Sequence, residues 1–277
     1  MSTTVHTPYN ASGIDFDNLP HGKDQRYYDL LAFIVSNGIA GELMAIDNYT
    51  QMVPILTSTE DKLEAVEQAQ DESKHVKLLA SLGKKLDFGV KTEIVEPEWK
   101  IIRAHFDTAV RNNDLASCYI TQDLMVETLA VVLYKTLGRN TDPNTRKVAD
   151  NILRDEMKHL QIGIDRIKAM LDKDADSVHK SLTDSHNAVV PVLFSSISYN
   201  CTDLCDDLAI DCSSLGLDSV ATDLDTVRVD ALDTYMDMLD RVGFDTKVTT
   251  PLIAKLQSNL DSERVSVAGD CCSSASA

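Results

Sequence analysis

The sequence predicts an all-α protein, and three observations support this fold class. Apolar residues recur at spacings of three and four along most of the chain, as they do in helices that bury one face. No stretch of convincing length alternates apolar and polar residues in the manner of a half-buried strand. Prolines and glycines separate the helical runs, at Pro54, Gly83, Pro97, Gly138 and Pro143.

The clearest predicted helices lie before Asp172. Their ranges are 24–52, 58–82, 98–112, 115–137 and 144–171. Ser58, with Asp61 three residues later, resembles a capping box and marks the start of the second helix. The fourth helix is the most apolar of the five, and Gly138 ends it.

Beyond Asp172 the helical signal weakens. The expected elements are a helix over 176–199, loops over 201–223 and two closing helices over 224–241 and 250–260. Pro191 is expected to kink or split the first of these helices, because proline removes a backbone donor. Pro251 fits the first turn of the last helix.

The length of 277 residues predicts one domain with additions, because it is long for one bundle and short for two domains. The expected division is a polar tail at 1–22, a helical domain at 23–261 and a flexible tail at 262–277. Both tails are rich in small and polar residues, which cannot build a core.

The formal net charge is −18, and this excludes some partners. Without a basic cluster or arm, neither nucleic acid nor an anionic membrane is expected as the main partner. The polar N-terminus lacks the apolar core of a signal peptide, and no run is long enough for a stable membrane insertion. The sequence therefore predicts a soluble, cytoplasmic protein.

The six cysteines form no Cys-x-x-Cys pair, so a disulfide framework is not expected and a reducing compartment fits best. Cys201 and Cys205 stand one helical turn apart. No neighbouring His or Cys would complete a zinc site with them, so no structural zinc is predicted there.

A duplicated motif carries the functional prediction. Residues 71–75 read Asp-Glu-Ser-Lys-His and residues 155–159 read Asp-Glu-Met-Lys-His. Each contains Glu-x-x-His, which puts a carboxylate and an imidazole on one helix face. Each also follows a lone glutamate in an apolar run, by 30 residues in the first case and 29 in the second. The predicted metal ligands are Glu42, Glu72, His75, Glu127, Glu156 and His159.

Glu127 argues most strongly against a solvated, purely structural interpretation. Its neighbours over 124–131 are nearly all apolar, so its carboxylate is expected to be buried. A buried carboxylate costs several kcal/mol unless it is protonated, paired or bound to a metal.

Four carboxylates and two imidazoles from four helices are the ligand pattern of ferritin-like dimetal bundles. The predicted fold is therefore a ferritin-like four-helix-bundle core with additional C-terminal helices. Such hard ligands suit two iron ions, with manganese possible, and an iron pair can use O2 as cosubstrate. The expected roles are one-per-helix ligands for Glu42 and Glu127, bridging carboxylates for Glu72 and Glu156, and terminal imidazoles for His75 and His159.

Four further residues are candidates to support the ligands. Asp71 and Asp155 precede the two Glu-x-x-His units, where each could accept the second imidazole N–H of the opposite histidine or simply be an exposed charge. Tyr49 and Tyr134 each stand seven residues after a lone glutamate, on the same helix face. Each tyrosine either donates a hydrogen bond near the metals or bonds elsewhere in the core.

Several segments resemble cyanobacterial-type aldehyde-deformylating oxygenases, also called aldehyde decarbonylases. They are 41–49 (Gly-Glu-Leu-Met-Ala-Ile-Asp-Asn-Tyr), 72–75, 118–134 with Gln122, 155–160 and 242–246 (Val-Gly-Phe-Asp-Thr). The resemblance covers about residues 25 to 260 and includes all six ligand positions. It implies Gln122 and Tyr134 as candidate catalytic residues.

The resemblance implies that a long-chain fatty aldehyde becomes an alkane or alkene one carbon shorter plus formate, using O2 and external electrons. Ferredoxin and its reductase are the implied electron donor, and Lys74, Lys77, Lys84 and Lys85 are a candidate docking patch. An apolar slot between helices would hold the substrate. Its candidate lining is Ile39, Ile46, Leu79 and Val131, each of which could equally be plain core.

The sequence also departs from the family, because Leu31 and Leu137 replace tyrosines and Leu82 replaces a cysteine. These changes motivate an alternative, another ferritin-like diiron oxygenase such as a hydroxylase or amine N-oxygenase. Iron storage or peroxide detoxification is a third possibility, and the long tails and extra helices fit its usual self-assembling shell poorly.

Overall fold

The computed structural model describes residues 25–86, 96–139, 141–207 and 218–271, and within these ranges it contains helices and no strand. The all-α prediction is therefore confirmed. The helices are α1 (Gln25–Met52), α2 (Thr59–Lys85), α3 (Glu96–Arg111), α4 (Leu115–Tyr119), a π-helical segment (Ile120–Val126), α5 (Glu127–Arg139), α6 (Pro143–Leu171), α7 (Ala175–Asp207), α8 (Asp218–Val242) and α9 (Thr246–Cys271).

Four long helices form the core that positions the site. α1 packs along α2, α5 packs along α6, and α2 and α6 lie against each other. The remaining helices cover this core: α3 contacts α1 and α7, α8 contacts α5 and α6, and α9 packs on α7. The predicted bundle with additional C-terminal helices matches this arrangement.

Helix starts in the core are set by local side chains. The Ser58 hydroxyl accepts a hydrogen bond from the Asp61 amide at 3.0 Å, as the capping-box prediction implies. Asp142 accepts from the Asn144 and Thr145 amides and caps α6, with Pro143 in the first turn. These caps fix where the two Glu-x-x-His helices begin.

Among the residues whose burial is described, the buried apolar side chains form two clusters. The smaller cluster joins the first half of α1 to the end of α2, the end of α5 and the start of α6. The larger cluster fills the rest of the core beneath α3, α7, α8 and α9. On α1, α2 and α6 the predicted ligands lie where one cluster gives way to the other, so polar chemistry sits between two apolar regions.

Several predicted boundaries are wrong. α2 continues through Gly83 to Lys85, because one glycine costs a buried helix only about 1 kcal/mol. α7 runs unbroken through Pro191 to Asp207, so of the two expected outcomes, a kink or a split, the split does not occur; the burial of Val189, Val190 and Leu193 around the proline offsets the lost hydrogen bond.

The predicted loop over 201–223 is also wrong in part. Residues 201–207 continue α7 and residues 218–223 begin α8, while 208–217 lie outside the described residues. α9 extends to Cys271, into the stretch assigned to the C-terminal tail. The N-terminal tail at 1–22 and residues 272–277 lie outside the described residues.

One helical run, Leu115–Gly138, is long and apolar enough to cross a membrane by length and composition alone. In this fold 89% of its most apolar window is buried inside the protein, as expected for a central core helix. Cys118 on the same run is a buried free thiol, and the side chains of the other five cysteines lie outside the described residues.

Candidate metal centre

The six predicted ligands meet inside the four-helix core, and each is at most 5% exposed. Their ligand atoms form two groups, and within each group all atoms lie within 4.8 Å of one another. One group is Glu42, Glu72, His75 and Glu156, and the other is Glu72, Glu127, Glu156 and His159. Glu72 and Glu156 belong to both groups, which is the position predicted for bridging carboxylates.

Each imidazole turns its Nδ1 atom toward the shared carboxylates. His75 Nδ1 lies 3.0 Å from Glu72 Oε2 and 3.1 Å from Glu156 Oε1. His159 Nδ1 lies 3.0 Å from Glu72 Oε1 and 3.2 Å from Glu156 Oε2. The ring centroids are 6.2 Å apart, so the two halves of the site are nearly symmetric about Glu72 and Glu156.

Four buried carboxylates lie close together, and having all four ionised at once is energetically unfavourable. Burial raises the pKa of Glu72 and of Glu127 well above its usual range, and the nearby Glu156 carboxylate adds to both effects. Burial alone would lower the pKa of His75, but contacts with Glu156, Glu42 and Glu72 raise it to about 12. The same balance, led by Glu156, raises the pKa of His159 to about 9. Protons, or metal cations in their place, are therefore needed to neutralise the site.

Unsatisfied atoms at the centre indicate that cations fit the site. The buried Oε1 atoms of Glu72 and Glu156 lie 3.0 and 3.1 Å from imidazole nitrogens, but among the described residues neither accepts a hydrogen bond of acceptable geometry. A buried acceptor without a partner costs about 1–3 kcal/mol, or more when it is charged, and metal coordination would remove that cost. The donor set of oxygen and imidazole nitrogen suits iron or manganese. The residues present therefore fit a pair of such ions.

The two aspartates lie beside the histidines of the opposite helix, and neither accepts a hydrogen bond from the imidazole there. His75 Nε2 is 3.5 Å from Asp155 Oδ2, and His159 Nε2 is 3.7 Å from Asp71 Oδ2. Burial alone would raise the pKa of Asp155, but the hydrogen bond from Lys158 and the nearby His75 imidazole lower it, so the carboxylate is ionised. An ionised acceptor at this position can orient an imidazole once the ring binds a metal through Nδ1.

We expect Asp155→Asn to leave the fold intact and to weaken metal binding by about 10- to 100-fold, since the amide keeps the size but not the charge. Metal affinity can be measured by competition with a chelator, and the fold by circular dichroism. The matched control is Asp165→Asn, an exposed aspartate on the same helix. Equal affinity in both variants would show that Asp155 acts only as a surface charge.

Tyr134 donates a short hydrogen bond to Glu42 Oε1. Burial and the Glu42 carboxylate raise the pKa of Tyr134 well above its usual range, so the phenol keeps its proton. Gly38, one turn before Glu42, leaves room for this contact, because an added Cβ would lie 3.1 Å from the Tyr134 hydroxyl oxygen. Of the two interpretations of this tyrosine, the structure matches donation to a candidate ligand.

The Tyr49 hydroxyl lies within hydrogen-bond distance of two carboxylates, those of Asp123 and of the candidate ligand Glu127. Its oxygen lies 2.7 Å from Asp123 Oδ1 and 3.0 Å from Glu127 Oε1, and Gln68 Nε2 donates to it at 3.2 Å. Burial raises the pKa of Asp123 to about 7, although the Tyr49 hydrogen bond opposes the shift. Asp123 packs directly against the backbone of Gly163 on α6. A Cβ added at Gly163 would lie 2.3 Å from the Asp123 Cβ.

Gln122 contacts Glu127 from within the same helical run. Its Nε2 donates to Glu127 Oε1 at 2.8 Å, while Asn48 Nδ2 donates to Gln122 Oε1 at 2.7 Å. The π-helical segment brings positions 122 and 127 together, since its hydrogen bonds join residues five apart. Gln122 thus orients Glu127, and both candidate catalytic residues, Gln122 and Tyr134, contact predicted ligands rather than a separate pocket.

Sequence reasoning missed three members of this network: Asn48, Gln68 and Asp123. Each is at most 3% exposed. A signal existed for two of them, because Gln68 and Asp123 each stand four residues before a predicted ligand and therefore lie one turn away on its helix face. Asn48 carried no comparable signal.

The four predicted channel residues do not share one surface. Ile39 and Leu79 pack with Tyr134 in the smaller apolar cluster, Val131 belongs to the larger cluster, and Ile46 is half-buried outside both. A small apolar cavity lies between the π-helical segment and α5, α7 and α8, lined by Met125, Thr128 and Leu129 among others, and none of the four predicted channel residues lines it. Its volume of about 10 Å³ is room for a single water, so an acyl chain would need neighbouring side chains to move.

Comparisons with known proteins identify the family and the fold. A family model described as long-chain fatty aldehyde decarbonylase matches residues 24–256. Among solved structures, a protein with aldehyde deformylating oxidase activity from Synechococcus is similar with a TM-score of 0.67 and 17% identity, covering 87% of this chain and 100% of that one.

Two R2-like ligand-binding oxidases are also similar in structure. A mutant with an aerobically reconstituted Mn/Fe cofactor has a TM-score of 0.64 and 17% identity, covering 86% of this chain and 90% of its own. The oxidase from Sulfolobus acidocaldarius has a TM-score of 0.56 and 17% identity, covering 84% and 86%. These likenesses show the fold, a ferritin-like helical bundle, as the sequence predicted.

Proposed function

The chain belongs to the long-chain fatty aldehyde decarbonylase family, and from this premise we propose that it converts a long-chain fatty aldehyde into an alkane or alkene one carbon shorter plus formate. The observation that carries the proposal is the pair of buried ligand groups sharing Glu72 and Glu156. Two iron ions, or iron with manganese, would supply the binding and reduction of O2 when bound there.

The reaction balance defines what must come from outside the chain. The aldehyde carbon leaves as formic acid, its bond to the alkyl chain is replaced by a C–H bond, and the third oxygen atom leaves as water. With one O2 this consumes four electrons and four protons per aldehyde. The described side chains hold no such supply of electrons, so an external donor such as ferredoxin with its reductase is required.

The chain's own residues would hold the ligands in place and keep water out. Tyr134 holds Glu42, while Gln122 and Tyr49 hold Glu127, and these donors fix the carboxylates that would face a substrate. The apolar clusters on either side exclude bulk water from the ligands. Asp155 and Asp71 would orient the imidazoles of His75 and His159 from the Nε2 side of each ring.

Direct product analysis tests the proposal. Iron-loaded protein incubated with octadecanal, a reducing system and O2 is expected to yield heptadecane and formate in equal amounts. The same incubation without O2, and with the metal removed by a chelator, should yield neither product. Absence of formate with aldehydes of every length would contradict the proposal.

One observation favours a second candidate, a related oxygenase such as a hydroxylase or amine N-oxygenase. Leu31, Leu82 and Leu137, the three departures from the family, are all buried in the same small cluster beside Tyr134. This side of the site therefore offers fewer polar groups than the family pattern implies. Consumption of O2 with an amine or amino acid, and not with an aldehyde, would favour this candidate.

We expect bulk near the site to change which aldehydes react. If Ile39 borders the substrate, Ile39→Phe should shift the preference toward shorter aldehydes, because each buried methylene contributes about 0.8 kcal/mol and the slot would be shortened. Product yields across a series of aldehyde lengths measure the shift, with iron content as the check on the site. Ile101→Phe is the control, since that isoleucine is 52% exposed on α3. An unchanged profile in Ile39→Phe would remove Ile39 from the slot.

A further inference from the structure

Charge is segregated along the surface where α2 and α6 meet. The two helices run antiparallel: Lys85 Nζ donates to Asn144 Oδ1 at 2.5 Å at one end, and Arg166 pairs with Glu64 at 2.6 Å at the other. Near the first end lie exposed basic side chains that we call the basic patch. On α2 they are Lys74, Lys77, Lys84 and Lys85. On α6 they are Arg146, Lys147, Arg154 and Lys158.

The basic patch corrects the sequence-based expectation that the chain has no basic cluster, because residues from two helices distant in sequence form it together, and it stands out on a chain that is acidic as a whole. Three acidic side chains with solvent access accompany its eight cations: Asp150 and Asp155 on α6, and Asp71, which pairs with Lys74 on α2. The preceding part of α2, residues 59–73, is acidic, and the whole chain has a formal net charge of −18. A local excess of cations on so acidic a protein creates a directional field that attracts an acidic partner to this surface.

The basic patch also reaches the candidate metal centre by short contacts. Lys158 lies 2.6 Å from Asp155, which lies 3.5 Å from His75 Nε2. Lys74 lies 2.5 Å from Asp71, which lies 3.7 Å from His159 Nε2. Two contacts therefore separate an exposed ammonium group from each buried imidazole, and both imidazoles face this same surface.

We propose that the basic patch on α2 and α6 is the docking surface for an acidic, one-electron donor protein of the ferredoxin class, which delivers electrons on the histidine side of the metal centre. The proposal rests on the proposed function, whose balance requires external electrons. The charge fits an acidic donor, and the contacts place that donor next to the imidazoles. A nucleic acid would be repelled by the remainder of this acidic chain.

The test uses the iron-loaded protein and a reduced plant-type [2Fe–2S] ferredoxin. The patch variant carries Lys77→Glu, Lys84→Glu and Lys147→Glu, which avoid the lysines paired with Asp71 and Asp155. The control variant carries Lys168→Glu, Lys173→Glu and Lys247→Glu, which make the same change of charge at exposed positions outside the patch. Oxidation of ferredoxin by each protein is followed by absorbance in rapid mixing, with and without aldehyde.

We expect the patch variant to need about tenfold more ferredoxin for half-maximal rate, and to lose most of the wild-type dependence on salt. The control variant should stay within about twofold of wild type. Reduction by dithionite with a small mediator should be equal in all three proteins. Equal ferredoxin kinetics in patch and control variants would overturn the proposal.

Two further outcomes keep this test separate from the proposed function. Ferredoxin oxidation without aldehyde reports docking even if no hydrocarbon is ever formed, so failure of the substrate assay leaves this test standing. Light scattering shows whether wild type is a dimer that the patch substitutions dissociate. That result would assign the patch to a contact between copies of this chain and overturn the proposal.

Discussion

Replacing a shared glutamate is expected to abolish binding of both metal ions. Glu72 and Glu156 each contribute to both ligand groups, so Glu72→Gln removes a charged ligand from two sites at once. Glu42 and Glu127 each belong to one group only. Glu42→Ala and Glu127→Ala should therefore each abolish metal binding at one site and leave the other occupied. Wild-type protein is expected to bind about two iron ions per chain, the shared-ligand variant about none, and each single-group variant about one.

Iron per chain after gel filtration measures this prediction directly. Glu67→Gln is the matched control, because Glu67 is exposed on α2 and lies five residues before Glu72. Circular dichroism should show that all variants remain helical, since Gln keeps the volume of Glu and burial already raises the pKa of Glu72. Full iron content in Glu72→Gln would show that the two groups do not share this ligand.

Gly163→Ala is expected to destabilise the fold by about 1–3 kcal/mol or more, as overpacking of a filled core does. The new methyl group would lie 2.3 Å from Asp123 Cβ and 3.4 Å from the Asp123 backbone, so α6 or the π-helical segment must shift. Either shift would disturb the hydrogen bond between Asp123 and Tyr49. Chemical unfolding of the metal-free protein measures the free energy of unfolding.

Gly138→Ala supplies the control for this substitution. Its added Cβ would have an ordinary contact at 3.4 Å, and alanine is favoured over glycine in a helix by up to about 1 kcal/mol, so no loss is expected. A double-mutant cycle with Asp123→Gly gives a second check, because removing the Asp123 side chain should recover part of the loss. A fully additive cycle would show that the destabilisation arises elsewhere.

The clustering of the six candidate ligands could be predicted from the sequence because much of their geometry is local. Glu-x-x-His lies within one turn of one helix, and helix periodicity alone puts both side chains on one face. Matching distances to the lone glutamates then predicted that four helices converge. The crossed placement of Asp71 and Asp155 beside the opposite histidines followed from the same periodicity, since each aspartate directly precedes its motif.

Features that depend on tertiary packing could not be predicted from sequence patterns. The Asn48 to Gln122 hydrogen bond joins residues 74 positions apart, and its formation depends on how α1 meets the π-helical segment. α7 continues past Pro191 because buried neighbours hold it, and local propensity gives the opposite answer. The substrate slot was least accessible to prediction, because apolar spacing does not distinguish a residue that lines a cavity from one that fills the core.

The π-helical segment behaves like a one-residue insertion in an otherwise regular helix. A regular helix turns by roughly 100° per residue, so one additional residue would rotate everything after it by that angle unless a widened turn absorbs it. The π-helical segment is such a turn, because the Glu127 amide donates to the Gln122 carbonyl oxygen, five residues back. Deleting one residue between these two positions would leave them four apart on a regular helix and still on one face. In an alignment of related chains, a one-residue gap here would thus mark the loss of the widened turn, while the helix face that carries Glu127 stays directed at the metal centre.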